Sequence, residues 1–172
     1  DQKGFDILSY CFNDLMQENV NFVLLGSGQK RYEEIFTEFA KKYPEKVAVI
    51  TKYDEELSHL IEAGSDIFLM PSKYEPCGLN QLYSLKYGTI PLVRATGGLE
   101  DSVLNYFDDK ENGTGFKFNE YTPSALLNTV KEALKIYSND KEWKKIVKNG
   151  MSLDLSWSAS AKKYLDLYQS IL

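Results

Sequence analysis

Glu75 is the residue whose type and placement most invite chemistry. In the stretch "DIFLMPSKYEPCGLNQLYSLKYG", residues 66–88, an unbroken apolar run passes through Pro-Ser into an amphipathic segment, and the carboxylate sits on the bend between them. Pro76, Cys77 and Gly78 make that bend rigid, so backbone N–H groups can converge on one small polar ligand while the carboxylate accepts hydrogen bonds from hydroxyls. That combination suits a sugar next to a phosphate. A carboxylate at the start of a helix can equally be an electrostatic cap, and residue chemistry alone leaves both readings open.

The other candidates carry weaker signals. Gly26-Ser27-Gly28 and Thr96-Gly97-Gly98 follow apolar runs and could hold a phosphate on backbone amides, but neither completes a G-x-G-x-x-G or a P-loop, and turn geometry explains them as well. Tyr53 could stack on a nucleobase or simply pack on the surface. His59 falls in mid-helix, where a satisfied or solvated imidazole is the expectation. Cys77 is expected to be a small buried residue, since nothing in sequence pairs it with a histidine. Taken alone, Lys3 reads as solvated surface.

The elements that must position these residues alternate along the chain. Phe5 to Met16 carries apolar residues at near-3.6 spacing, a half-buried helix. "VNFVLLGSG" predicts a buried strand and a tight turn, and a helix bearing Tyr32, Ile35, Phe36 and Phe39 follows and stops at Pro44. "KVAVITKY" is a strand, "DEELSHLIEAG" a helix, "DIFLMP" a strand, "GLNQLYSLKYG" a helix and "TIPLVRA" a strand. After the loop "FDDKENGTG" come a short strand "FKF" and helices over Pro123 to Tyr137, Lys141 to Asn149 and Ala159 to Leu172. Continuous apolar strands alternating with helices predict an α/β fold, a Rossmann-like doubly wound parallel sheet covered on both faces. In such sheets ligands bind beyond the carboxyl ends of the strands, which is where Gly26-Ser27-Gly28, Tyr53, the Glu75 bend and Thr96-Gly97-Gly98 fall.

The chain's 172 residues are expected to form a single domain, 1–172. A net charge of -5 gives no electrostatic footprint for nucleic acid, which is not expected as a partner. Two widely separated cysteines, Cys11 and Cys77, with one histidine suggest neither a disulfide framework nor a metal site. No cofactor is called for. With no run long enough to span a bilayer and no signal-peptide pattern, no membrane partner and a cytoplasmic location are expected.

The segment "PSKYEPCGLNQLYSLKYGTIPLVRATGGLEDSV", residues 71–103, resembles the donor-binding segment of the bacterial glycogen synthases and plant starch synthases, retaining glucosyltransferases of the GT-B fold. "DQKGFDIL" is similar to the tail of the family's R-L-T-x-Q-K-G segment, "FVLLGSG" to the strand and turn after it, and "KYDEELSHLIEAGSDIFLMPS" to its central helix and strand. The resemblance covers essentially the whole chain, but only the C-terminal half of a GT-B enzyme. It implies a donor, ADP-glucose, an acceptor, an α-1,4-glucan, and a plastid location in a plant-like source. Within it, Lys3 contacts the donor's phosphates and Glu75 the donor glucose. Amides near Cys77, Gly78, Leu79 and Asn80 meet the glucose and distal phosphate, Tyr53 lies by the adenine, and Thr96, Gly97 and Gly98 line the donor side of the cleft. The family's phosphate-binding Arg falls just upstream of Asp1, and its K-x-G-G-L motif and acceptor groove lie outside this sequence. Related retaining transferases often carry E-x7-E; Tyr83 occupies the second position here, as a non-Glu generally does in glycogen and starch synthases. A non-catalytic nucleotide-sugar module and a retaining transferase with another donor remain the alternatives, with ADP against UDP undecided.

Overall fold

The computed structural model of the chain describes residues 2–171. Among the described residues five strands and eight helices follow one another, all expected except α5 (Gly98–Ser102). The first helix, α1 (Phe5–Leu15), buries Ile7, Leu8, Cys11, Phe12 and Leu15, one stripe at helical spacing. Phe12 is fully buried and is ringed by Phe22, Phe36 and Phe39 at centroid separations of 4.9, 5.3 and 4.4 Å. These rings join α1 to β1 (Phe22–Leu25) and α2 (Lys30–Lys42).

Parallel pairing holds throughout. β1 pairs with β2 (Val47–Ile50), Phe22 opposite Val47. Likewise β3 (Ile67–Met70) pairs with β4 (Ile90–Arg94), which pairs with β5 (Phe116–Phe118). The hydrogen-bonded ladder has two parts, a β1-β2 pair and a β3-β4-β5 sheet. Between β1 and β3 runs a cavity of ≈ 1070 Å³ lined by Phe22 to Leu24 on one side and Ile67 to Met70 on the other. This accounts for one departure from expectation. β1 is not the fully buried strand its apolar run predicts: Val23 is 45% exposed. An apolar run reports that a strand has two covered faces, and says nothing of which strand lies at its edge.

β4 is the most buried strand, with Ile90, Leu92 and Val93 in the core. It is flanked by α4 (Asn80–Tyr87), α6 (Pro123–Tyr137) and α7 (Asp140–Ser152). The last helix, α8 (Trp157–Ser170), buries none of its residues. It begins two residues before the expected Ala159 and ends at Ser170; the expected terminus, Leu172, lies outside the described residues.

Two neighbouring glycines bring the loops leaving β3 and β4 into backbone contact. Gly97, at φ +50°, has no room for a side chain: a β-carbon there meets the Glu75 carbonyl oxygen at 2.1 Å. At Gly98, which opens the short α5 (Gly98–Ser102), it meets the Cys77 carbonyl oxygen at 2.2 Å. The Gly98 N–H donates to the Glu75 carbonyl at 3.0 Å. This approach requires glycine at both positions.

A buried carboxylate joins α3 (Glu55–Gly64) to α4. Glu62 accepts from the Ser84 hydroxyl at 2.6 Å, its carbonyl accepts from Thr89 at 2.5 Å, and burial pushes its carboxyl above the usual glutamate range. A carboxyl whose folded pKa is raised stabilises the fold less as pH climbs through that value, because the unfolded chain gives up the proton first. Glu62→Gln keeps an acceptor for Ser84 and abolishes this loss. Urea titrations from pH 4 to pH 8 should therefore show the variant gaining on the parent as pH rises; a constant difference would contradict this. Gly98→Ala should cost about 1–3 kcal/mol by forcing the two loops apart. Gly28→Ala, where nothing lies within 4 Å of the added carbon, should stay within about 0.5 kcal/mol. Equal losses in denaturant titrations would show that the loops separate freely.

Candidate functional site

The Glu75 bend is the point at which three chain segments meet. Because β3 and β4 are adjacent and parallel, Met70 opposite Val93, their exit loops leave the same edge of the sheet side by side. The third segment is the chain start: the Lys73 N–H donates to the Gln2 carbonyl at 2.8 Å, and the Gln2 side-chain amide donates to the Tyr74 carbonyl at 3.2 Å. These two bonds lay residues 2–4 along the β3 exit loop. They bring Lys3, 72 positions away in sequence, onto Glu75.

Lys3 Nζ donates to Glu75 Oε2 at 2.5 Å, and the buried Ser72 hydroxyl donates to the same oxygen at 3.3 Å. Glu75 is 6% exposed, whereas the Lys3 side chain is 56% exposed. The carboxylate is thus held in place while its cationic partner keeps access to solvent. Glu75 is not a helix cap. The N-cap of α4 is Leu79, which makes no side-chain capping bond, whereas α3, α6, α7 and α8 are capped by Asp54, Thr122, Asn139 and Ser156. An uncapped first turn leaves N–H groups and the positive end of the helix dipole available to an anion.

Lys3, Ser72, Glu75, Gly78, Leu79 and Asn80 all line the cavity that continues between β1 and β3. Gly97 and Gly98 stand against the other side of the bend through the backbone contacts already described, and Thr96 precedes them on the same loop. Cys77 belongs to this assembly by its backbone, but it is exposed, which corrects the expectation of a buried thiol. The bend presses the Cys77 main chain onto Gly98, where no β-carbon fits, and so the side chain turns outward. Tyr53 is placed otherwise: it is 82% exposed on the loop after β2, and none of the contacts assembling the Glu75 cluster includes it. His59 is a surface residue whose Nδ1 lies 3.2 Å from the Tyr87 hydroxyl.

Four residues that secure the site were not singled out from sequence. Ser72 holds Glu75. Arg94, the last residue of β4, donates from Nε to the Ser72 carbonyl at 3.0 Å and from a terminal nitrogen to the Lys73 carbonyl at 2.7 Å, clamping the loop that carries Glu75. Gln81 and Ser102 bridge α4 and α5. A positive residue closing an otherwise apolar strand was the available signal for Arg94. For Gln81, Ser72 and Ser102, small or neutral polar residues near loops, no comparable signal existed.

Carboxylate, solvent-accessible cation and open helix start, gathered beside a cavity at the carboxyl edge of a parallel sheet, make a site fitted to a polar ligand with an anionic group. The chain has relatives among known proteins. It is 51% identical over 168 residues to the glycogen synthase of Koribacter versatilis, covering 98% of this chain and 35% of that protein. With the glycogen synthase of Pseudothermotoga lettingae it shares 50% identity over 173 residues, covering 100% of this chain and 36% of the relative. The chain therefore spans about a third of the length of these curated relatives. Its fold superimposes with a TM-score of 0.87 on the catalytic domain of starch synthase IV from Arabidopsis thaliana bound to ADP and acarbose, at 35% identity over 98% of this chain and 36% of that one. Residues 1–150 match the family model described as glycosyl transferases group 1, and the chain belongs to that family.

Proposed function

We propose that this chain is the donor-binding part of a retaining glucosyltransferase of the glycogen synthase type. The complete enzyme transfers glucose from ADP-glucose to the 4-hydroxyl at the growing end of an α-1,4-glucan, in the cytoplasm or, in a plant-like cell, the plastid. One observation carries the reading: the buried Glu75 carboxylate, paired with Lys3 at 2.5 Å, stands beside the uncapped start of α4 in a chain half identical to glycogen synthases. The ADP bound by the starch synthase neighbour favours an adenosine diphosphate donor.

Breaking the glucosyl-phosphate bond builds negative charge on the leaving diphosphate and positive charge on the sugar ring. The first-turn amides of α4 and the Lys3 ammonium meet the former. Glu75 meets the latter and accepts from glucose hydroxyls. A diphosphate that recruits Lys3 frees Glu75 Oε2 for the sugar, while Ser72 keeps the carboxylate in register. Cys77, Gly78, Leu79 and Asn80 supply backbone to the glucose and distal phosphate. Thr96, Gly97 and Gly98 close the donor side, and Tyr53 serves the adenine from its exposed loop. No residue is assigned as a nucleophile, so retention follows a same-face displacement assisted by the leaving phosphate, with preorganised charge supplying most of the rate.

Glu75→Ala in the complete enzyme should lower kcat by about 100-fold or more, in the range typical of losing a preorganised electrostatic contact. ADP affinity, measured by calorimetry, should change by less than about 5-fold, since one hydrogen bond or less is at stake. Near-normal turnover would remove Glu75 from the reaction. The 172-residue chain alone should extend no glucan from ADP-glucose or UDP-glucose, because the acceptor must be presented from the facing half of the cleft. Efficient extension by the isolated chain would refute the division of labour.

A further inference from the structure

Gln81 is 1% exposed in the first turn of α4, a polar side chain at a core position. Its Nε2 lies 3.0 Å from the Cys77 carbonyl, 3.0 Å from the Gly78 carbonyl and 3.1 Å from the Ser102 hydroxyl. Both carbonyls only accept, so the amide must turn its nitrogen toward them. The Ser102 hydroxyl in turn donates to the Gly98 carbonyl at 2.5 Å, and the Gly98 N–H donates to the Glu75 carbonyl at 3.0 Å. The bonds close a ring from Gln81 through Ser102 and Gly98 to the Glu75 bend and back to Gln81.

The other end of the amide sharpens the point. Gln81 Oε1 is buried and has no hydrogen-bond partner among the described residues. A β-carbon at residue 78 would displace it, and the backbone itself, at φ +74°, calls for glycine there. A position chosen for packing alone takes an aliphatic side chain, which carries no orphan oxygen. Here an unpaired acceptor is tolerated in order to place two N–H donors under the bend.

We propose that Gln81 is a positioning residue which, acting through Ser102, locks the Glu75 bend to the Thr96-Gly97-Gly98 turn and thereby sets the alignment of the donor sugar. The proposal rests on the donor-site reading above and adds to it a residue that touches no substrate. Removing the two N–H donors lets residues 75–78 and 96–98 shift relative to each other, which loosens the donor without altering the acceptor.

The test is steady-state kinetics on the complete enzyme with ADP-glucose and a soluble glucan, alongside thermal melting. Gln81→Met preserves length and volume but donates nothing. It should raise the donor KM about tenfold, and Ser102→Ala about threefold, the scale of one or two lost hydrogen bonds, with the glucan KM within about twofold of the parent. The double variant should be no worse than Gln81→Met, because both act in one ring. An unchanged donor KM overturns the proposal. So does a fall in kcat with both KM values intact, which is the mark of a smaller folded fraction. Should Gln81→Met fail to fold, Ser102→Ala decides by the same two readouts. Glu75→Ala run in parallel separates the two levels. If it retains turnover, the donor-site reading falls; if it loses turnover while Gln81→Met keeps its donor KM, only the positioning role falls.

Discussion

The main chains of residues 75–77 and 97–98 lie so close that neither Gly97 nor Gly98 admits a β-carbon. Much of the site follows from this approach. Parallel pairing of β3 with β4 sends both exit loops off one sheet edge, and the glycines let them touch; Arg94 holds the first loop from below, and the Gln81–Ser102 bridge ties the second to α4. With both loops fixed, Glu75 has a defined direction, and the chain start has a defined ledge along which to lay Lys3. The interaction is short-ranged and steric, so it resists salt and pH in a way that the ion pair above it does not.

Charge is distributed to match. Capping residues close the starts of α3, α6, α7 and α8, while α4 and α5, which begin at the two apposed loops, are left open, as are α1 and α2. Lys3 and Glu75 satisfy each other at 2.5 Å, so each is preorganised by the other. For the proposed reaction, whose transition state separates charge between a sugar and a diphosphate, one solvent-accessible cation and one buried carboxylate are a fitting division.

The alternation of elements and the parallel arrangement were legible in sequence because apolar runs and helical stripes report burial directly. The break between β1 and β3 was not, because periodicity describes faces and this is a matter of edges. Glu75 was legible as a carboxylate on a rigid bend, and setting aside the capping alternative required the observed N-cap at Leu79. Lys3 entered through family resemblance alone; no local pattern links it to a residue 72 positions away. Gln81, Ser84 and Glu62 escaped notice for a shared reason. They are buried through hydrogen bonds, and a hydrophobicity pattern counts such residues as surface. Cys77 was misjudged because the lack of a histidine partner in sequence says nothing of whether the thiol is covered.

The most direct measurement of the central claim is a crystal structure of the complete enzyme with ADP and glucose bound. The account requires a Glu75 carboxylate oxygen within hydrogen-bond distance of a glucose hydroxyl, with Lys3 and the first-turn amides of α4 on the diphosphate. Nucleotide and sugar seated elsewhere, with the Lys3–Glu75 pair unbroken and the bend bare, would contradict it.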